Sequence, residues 1–131
     1  MILFNDFFKR TGEAVLNSDG SRSVSVLLNP EHYIYKAHFP NYPVTPGVCI
    51  LQMAEELLEQ ALGTNLRIQT IDNVKFLSLL VPHKGVPVSF TFSTTLTDDD
   101  RVRMCCDVTE GNRIIAKLLI TYAAAEEKMI R

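Results

Sequence analysis

A loop stiffened by proline, followed at once by a long apolar segment, constrains the fold of this chain more than any other feature. Residues 38–48 read His-Phe-Pro-Asn-Tyr-Pro-Val-Thr-Pro-Gly-Val. Each of Pro40, Pro43 and Pro46 has a fixed φ and lacks an amide hydrogen, so a regular helix or strand does not run through this segment. The loop places an ionisable histidine beside a helix start, where backbone N–H groups lack partners. This combination is the minimum equipment for proton transfer on a carbonyl compound.

The segment after the loop is predicted to form one long helix over residues 46–62. Thr45 is the expected N-cap, Pro46 suits the first helical position, and Gly63 is a typical C-terminal stop. Apolar side chains cover most of the helix surface. The exceptions recur at helical spacing and form one polar stripe: Gln52, Glu55, Glu56 and Glu59. The pattern therefore predicts a mostly buried central helix with a single edge in contact with water.

Strand patterns lie on both sides of this helix. They are predicted over residues 11–17 and 21–28 before it, and over 66–79, 85–97, 101–110 and 113–124 after it. Residues 32–39 are interpreted as irregular or as a short helix, and hairpin turns are expected at 97–100 and 110–112. The last four strands are expected to form a meander. The order predicts an α+β fold, a curved antiparallel sheet wrapped around one long central apolar helix, in a single domain over residues 1–131.

Charge and cysteine content exclude several classes of function. The net charge of -2 at pH 7 argues against nucleic-acid binding, which requires a basic surface. The three cysteines lack the Cys-x-x-Cys spacing of a metal site, and their odd count favours a reduced protein. The N-terminal residues lack the layout of a signal peptide, and no segment approaches the roughly 20 apolar residues that span a bilayer. We therefore expect a cytoplasmic protein without membrane insertion.

The proline-rich loop carries a family resemblance. Its motif residues are His38-Phe39-Pro40, Pro43-Val44 and Pro46-Gly47-Val48. Weaker similarity extends upstream through Leu28-Asn29-Pro30 and Tyr33, and downstream through Ile71-Asp72-Asn73-Val74-Lys75-Phe76 and Val81-Pro82. Together these segments resemble the β-hydroxyacyl-acyl-carrier-protein dehydratases, which have the hotdog fold.

The resemblance implies a role for several residues. His38 is implied to be the base that removes the proton next to a thioester carbonyl, and the Gly47 N–H is implied to bind that carbonyl. Such a contact is strengthened by the positive end of the helix dipole. The family has a carboxylate fourteen positions after the histidine, supplied by the other subunit of a dimer, that protonates the leaving hydroxyl. The predicted substrate contacts around these groups are Phe39, Pro46, Val48 and Glu55.

The chain departs from this pattern at position 52, which is glutamine. An amide orients a hydroxyl or a water but does not act as a carboxylic acid, and general acid–base assistance is typically worth about 10²–10⁴-fold. Three explanations are open. Glu55, one helical turn further along, substitutes through a water; or His38 serves both steps while Gln52 orients the hydroxyl; or the protein binds an acyl chain or hydrolyses a thioester without dehydrating it.

The resemblance implies a dehydratase-like enzyme that eliminates water from, or hydrates, a (3R)-hydroxyacyl thioester in fatty-acid or related lipid biosynthesis. An acyl thioesterase and a non-catalytic acyl-chain binding subunit are the alternatives. The implied partners are an acyl carrier protein or coenzyme A thioester substrate and a second copy of the chain, in a homodimer or higher homo-oligomer. His38 and Gln52 then meet from different subunits. No metal or redox cofactor is implied, because water elimination is redox-neutral.

Three other residues have side chains of chemical interest. His32 and His83 lack a motif context and are predicted to lie at the surface. Cys49, near the helix start, suggests a nucleophilic pair with His38. The favoured interpretation of Cys49 is a small apolar side chain buried in the core.

Overall fold

One antiparallel sheet and two helices make up the part of the chain that the computed structural model describes, residues 2–38 and 41–126. The strands are β1 (Phe8–Arg10), β2 (Val15–Leu16), β3 (Arg22–Leu28), β4 (Leu66–Phe76), β5 (Pro87–Leu96), β6 (Val102–Glu110) and β7 (Arg113–Ala124). The helices are α1 (Tyr33–His38) and α2 (Gly47–Leu62). This is the α+β architecture that the sequence predicts.

The strands lie in the order β1-β3-β5-β6-β7-β4, and β2 also pairs with β3. β5, β6 and β7 follow one another through hairpins, as predicted. β4 does not join that series in chain order but pairs with β7 at the far edge, so the predicted four-strand meander is wrong for β4. Within the described residues, β4 therefore has a strand partner on one side only.

Alternation of apolar and polar side chains explains the middle of the sheet. Val88, Phe90 and Phe92 of β5 are each at most 4% exposed, while the residues between them point the other way. Phe90 lies opposite Val24 of β3 and Val108 of β6, so the buried side chains of three strands form one apolar face. Burial of a Phe or Val side chain stabilises the fold by about 1.5–3 kcal/mol.

Of the strand predicted over residues 11–17, only β2 is present, and another short strand, β1, precedes the predicted range. β1 ends at Arg10 and β2 begins at Val15, and both pair with β3. Gly12 lies in the bend between them, and a glycine weakens a strand interior because it has no side chain to pack. The Thr11 amide still donates to the Ser25 carbonyl at 3.0 Å, which keeps this bend alongside β3.

α2 ends as the sequence predicts. Gly63 adopts a φ of 67°, in the left-handed region that favours glycine, and its amide donates to the Glu59 carbonyl at 2.8 Å. The buried apolar residues of α2 are Cys49, Ile50, Met53, Ala54, Leu57 and Leu58. Neither of the described helices combines the length and apolar character needed to cross a bilayer.

The polar stripe of α2 lies largely inside the molecule. Glu55 is 8% exposed and Glu56 is 5% exposed, so the predicted single wet edge is wrong for both carboxylates. Other parts of the chain cover this edge and supply backbone donors. The Leu3 amide donates to Glu56, and the Leu66 amide at the start of β4 donates to Glu59 at 2.8 Å. A buried carboxylate is retained where N–H groups satisfy its oxygens.

Candidate active site

α1 brings the backbone of His38 to the end of a short helix. The six residues Tyr33–His38 are helical, within the segment predicted to be irregular or shortly helical. The side chain of His38 lies outside the described part of the chain, as do Phe39 and Pro40. The roles of His38 as base and of Phe39 as a substrate contact therefore stay predictions. The described residues define how both sides of this loop are held.

α1 begins with a cap that the sequence did not reveal. His32, predicted to lie at the surface, is only 6% exposed. Its Nδ1 accepts a hydrogen bond from the Ile34 amide at 3.1 Å, as an N-cap side chain does, and its Nε2 lies 3.1 Å from Asp6 Oδ2. An accepting Nδ1 places the hydrogen on Nε2, which donates to Asp6. The surface prediction is wrong because the ring is used as this cap.

Thr45 does not cap α2. Thr45 is 4% exposed, its hydroxyl lies 2.9 Å from the hydroxyl of Tyr35, and its amide donates to the Leu80 carbonyl at 2.8 Å. Pro46 occupies the N-cap position with extended backbone, and no side chain caps the helix. The predicted N-cap is therefore wrong, because the threonine side chain is engaged with α1. The consequence is a helix start whose first N–H groups have no side-chain acceptor.

Gly47 is the first residue of α2, and the ring of Phe76 covers it. A Cβ atom on Gly47 would lie 2.7 Å from Cζ of that ring, which is too close for a side chain to be placed without moving the ring. Val48 and Phe76 are 64% and 51% exposed, so this helix start lies at an apolar surface. The positive end of α2 is thus suited to receive a carbonyl oxygen among apolar groups.

Gln52 lies on α2, five residues after Gly47, and is partly buried. Its Nε2 donates to Glu56 Oε2 at 2.8 Å. Glu56 also accepts hydrogen bonds from the Leu3 and Phe4 amides, at distances between 2.8 and 3.1 Å. These donors hold the Glu56 carboxylate, and the carboxylate in turn holds the amide of Gln52 in one orientation.

Glu55 of α2 is buried rather than on a solvated edge. It is 8% exposed and close enough to Tyr122 of β7 for its charge to act on the tyrosine. Burial raises the pKa of Tyr122, and the negative charge of Glu55 raises it further. The Tyr122 hydroxyl is buried and has no hydrogen-bond partner among the described residues. Whether Glu55 contacts substrate stays a prediction.

Cys49 does not have the environment of a nucleophile. It is 2% exposed, and burial raises the pKa of its thiol above the ordinary value. A thiol, rather than the thiolate that nucleophilic attack requires, is therefore the favoured form at neutral pH. The interpretation of Cys49 as a small apolar core residue is confirmed.

A groove of about 580 Å³ lies apart from these residues, between the end of β3 and the loop of residues 82–85. Its walls carry lysine and carboxylate side chains, and neither Gly47 nor Gln52 lines it. His83, which lines it, is exposed, as the sequence predicts. Within residues 2–38 and 41–126, no group of three or more His, Cys, Asp or Glu side chains is arranged to hold a metal ion.

Three features of the site were missed by sequence reasoning. Phe76 belongs to the downstream motif but had no assigned role. A signal existed for Tyr35, which precedes His38 by three residues, the spacing of one helical turn. No spacing rule links Glu56 to Leu3, which is 53 residues away in the chain.

Comparison with known proteins gives a consistent match. The ApeI-like family, described as ApeI dehydratase, matches residues 14–115. The 3-hydroxyacyl-[acyl-carrier-protein] dehydratase FabZ of Bartonella bacilliformis is 30% identical over 114 residues, which cover 78% of this chain and 72% of the relative.

Solved structures are similar in fold. The dehydratase heterocomplex ApeI:P from Xenorhabdus doucetiae matches with a TM-score of 0.62 and 16% identity, over 87% of this chain and 96% of that chain. A hypothetical thioesterase with coenzyme A from Streptococcus pneumoniae matches with a TM-score of 0.63 and 11% identity, over 98% of this chain and 96% of that chain. At these identities the likeness concerns the fold alone, and it confirms the predicted hotdog fold.

Proposed function

Because the chain belongs to the ApeI-like dehydratase family, we propose that it eliminates water from a (3R)-3-hydroxyacyl thioester and catalyses the reverse hydration. The observation that carries this proposal is the uncapped start of α2 at Gly47, nine residues after His38. The substrate is an acyl group on acyl carrier protein or coenzyme A, within fatty-acid or related lipid biosynthesis.

The proposed chemistry starts at the carbon next to the thioester carbonyl. His38 removes a proton there, and negative charge develops on the carbonyl oxygen. The Gly47 N–H donates to that oxygen, and the positive end of α2 stabilises the charge. A preformed donor of this kind is worth about 10²–10³-fold in rate when it faces developing charge. Pro46 and Val48, which flank Gly47, stay predicted substrate contacts.

Departure of the hydroxyl requires a proton, since hydroxide is a poor leaving group. We propose that His38 returns the proton it has taken, so that water leaves and no external acid is consumed. Gln52 orients the hydroxyl, and its hydrogen bond to Glu56 fixes the amide for that task. Glu55 is only 8% exposed, so the alternative in which it works through a water requires that water to lie inside the fold.

Replacing Gln52 with glutamate is expected to raise kcat for water elimination by about tenfold or more, because it adds a general acid. The introduced carboxyl would lie close to Glu56, which is 2.8 Å from the present amide. Two carboxyl groups so close do not readily both ionise, so the pKa of the introduced group rises in the folded state. Protonation then favours folding, and the variant loses stability relative to wild type as the pH rises. Steady-state kinetics and melting temperatures at acid and neutral pH measure both effects.

The matched control for this variant is Gln60→Glu. Gln60 has the same side chain on the same helix, but it is exposed. We expect this control to leave kcat unchanged. An unchanged kcat in a folded Gln52→Glu variant would remove Gln52 from the position of the leaving hydroxyl.

We further propose that a second copy of the chain covers β4. This edge strand and the segment after it expose several large apolar side chains, which are Ile68, Ile71, Phe76, Leu77 and Leu79. A long exposed edge with apolar side chains favours pairing with another chain. The surface is continuous with Gly47 through Phe76, so a second copy there would close the candidate site.

The Ile71→Lys variant is expected to dissociate this dimer, because a charge at a 52% exposed apolar position opposes burial. Light scattering after gel filtration measures the mass, and turnover is expected to fall by about tenfold or more, since loss of a positioned catalytic group typically costs about 10²–10⁴-fold. Leu96→Lys is the control, since Leu96 is 70% exposed on β5, away from β4. A wild-type protein that is monomeric and active would overturn the proposed interface.

Mass spectrometry of 3-hydroxyacyl thioesters, incubated with the wild-type protein, tests the function. Acyl carrier protein and coenzyme A carriers are used in parallel, each with several acyl lengths. Loss of one water from the acyl group is the expected result. Release of the acyl group with a free thiol would identify a thioesterase instead, and unchanged substrates on both carriers would identify a binding subunit.

A further inference from the structure

A buried pair of hydroxyl groups connects the two ends of the proline-rich loop. The hydroxyl of Tyr35 in α1 lies 2.9 Å from the hydroxyl of Thr45, just before α2. The two residues are 2% and 4% exposed. The hydrogen bond is therefore shielded from water, where competition by solvent is small.

The position of this hydrogen bond relates it to the candidate site. Tyr35 precedes His38 by one helical turn, and Thr45 precedes Gly47 by two residues. The described loop residues between them, such as Asn41 and Tyr42, are exposed. The contact thus joins the two ends of the loop, three residues before His38 and two residues before Gly47 in the chain.

Both hydroxyl groups are held by their surroundings. The Tyr35 ring stacks on Phe7, with centroids 5.2 Å apart and planes 22° apart. Burial raises the pKa of Tyr35, so its hydroxyl keeps the hydrogen that one member of the pair must donate. The Thr45 backbone is anchored by its amide, which donates to the Leu80 carbonyl at 2.8 Å. Because both groups are anchored, their hydrogen bond fixes the end of α1 relative to the start of α2.

We propose that Tyr35 and Thr45 are positioning residues that set the separation between the His38 base and the Gly47 amide. This inference rests on the proposed function. The base and the carbonyl donor act on adjacent atoms of the substrate, so their separation must match the geometry of proton removal. A misplacement of about 1 Å in such an arrangement costs on the order of 10²-fold in rate.

The test is a double variant, Tyr35→Phe with Thr45→Val. It removes both hydroxyl groups and keeps the side-chain shapes, so no buried polar group loses its partner and the fold is expected to persist. We expect kcat for water elimination to fall roughly 10- to 100-fold while KM changes less than about twofold. Thr45→Ser, which keeps the hydroxyl, is expected to stay within about threefold of wild type. Tyr33→Phe, at a 67% exposed position of the same helix, is the control for loss of a phenol hydroxyl.

Two results overturn the inference while the function stands. One is an active wild type whose folded double variant keeps its kcat, and the other is a Thr45→Ser variant as slow as the double variant. Should the double variant melt below the assay temperature, Thr45→Ser and Thr45→Val are compared where both are folded, and equal kcat values overturn the inference. A wild type that eliminates water from no thioester overturns the proposed function and this inference together.

Discussion

Alanine at position 38 is expected to lower kcat for water elimination by about 10²–10⁴-fold, the usual contribution of a positioned acid–base group. In the proposed scheme His38 takes the proton from carbon and returns it to the leaving hydroxyl. Because Gln52 cannot donate a proton as a carboxylic acid, no second group takes over either step. The loss is therefore expected in kcat rather than in KM, and steady-state kinetics separate the two.

The control for this variant is His83→Ala, which removes an exposed histidine outside the candidate site. It should leave both kcat and the melting temperature unchanged. His38→Ala should remain folded, because His32 and Tyr35 anchor α1 through their own hydrogen bonds. Retained turnover in a folded His38→Ala variant would eliminate His38 as the base.

Local sequence signals predicted most of the secondary structure. Pro46 and Gly63 bracket α2 closely because proline and glycine restrict the backbone at the residue itself. The alternation around Phe90 located β5 because side chains in a strand point to opposite faces. The motif around His38 predicted the family because its residues are contiguous in the chain and can be recognised without the fold.

Errors arose where a side chain has its partner far away in the chain. Threonine is a residue type that often forms an N-cap, so the sequence favoured that role for Thr45. Only the packing of α1 against the loop shows that the Thr45 hydroxyl is hydrogen-bonded to Tyr35 instead. His32 resembled a surface residue until Asp6 and the start of α1 were placed beside it. Periodicity identifies which residues share a helix face, but it does not show which other segment covers that face.

One part of the candidate site consists of residues adjacent in the chain, and the other part is assembled from segments that are far apart in the chain. Pro46, Gly47 and Val48 form the helix start by themselves, and the sequence predicts it. The covering of Gly47 by Phe76 and the holding of Gln52 by Glu56 depend on β4 and on the N-terminal segment. One of the assembled contacts, the hydrogen bond from Gln52 to Glu56, lies at the position where the chain departs from the family pattern.

Alanine at position 56 is expected to destabilise the protein by about 3 kcal/mol, because buried donors lose a charged acceptor. Glu56 is 5% exposed and accepts hydrogen bonds from the Leu3 amide, the Phe4 amide and Gln52 Nε2. Removing the carboxylate leaves these donors facing a cavity, and each buried donor without a partner costs about 1–3 kcal/mol. For a chain of this size the melting temperature should fall on the order of 10 °C. Thermal unfolding followed by circular dichroism, together with urea titration, measures the change.

Comparison of Glu56→Ala with Glu56→Gln tests whether Glu56 orients Gln52, because the backbone donors affect stability and the Gln52 amide affects activity. Glu56→Gln keeps one carbonyl oxygen for the Leu3 and Phe4 amides, but it replaces the other oxygen with a donor. If that donor faces Gln52, Glu56→Gln should lower kcat while largely preserving the melting temperature. Glu56→Ala should lower both kcat and the melting temperature. Gln60→Ala, at an exposed position of α2, controls for truncation on the same helix. A loss of 1 kcal/mol lowers the melting temperature of a chain of this size by more than about 2 °C. A Glu56→Ala variant that melts within about 2 °C of wild type would therefore show that this carboxylate does not anchor the N-terminal segment.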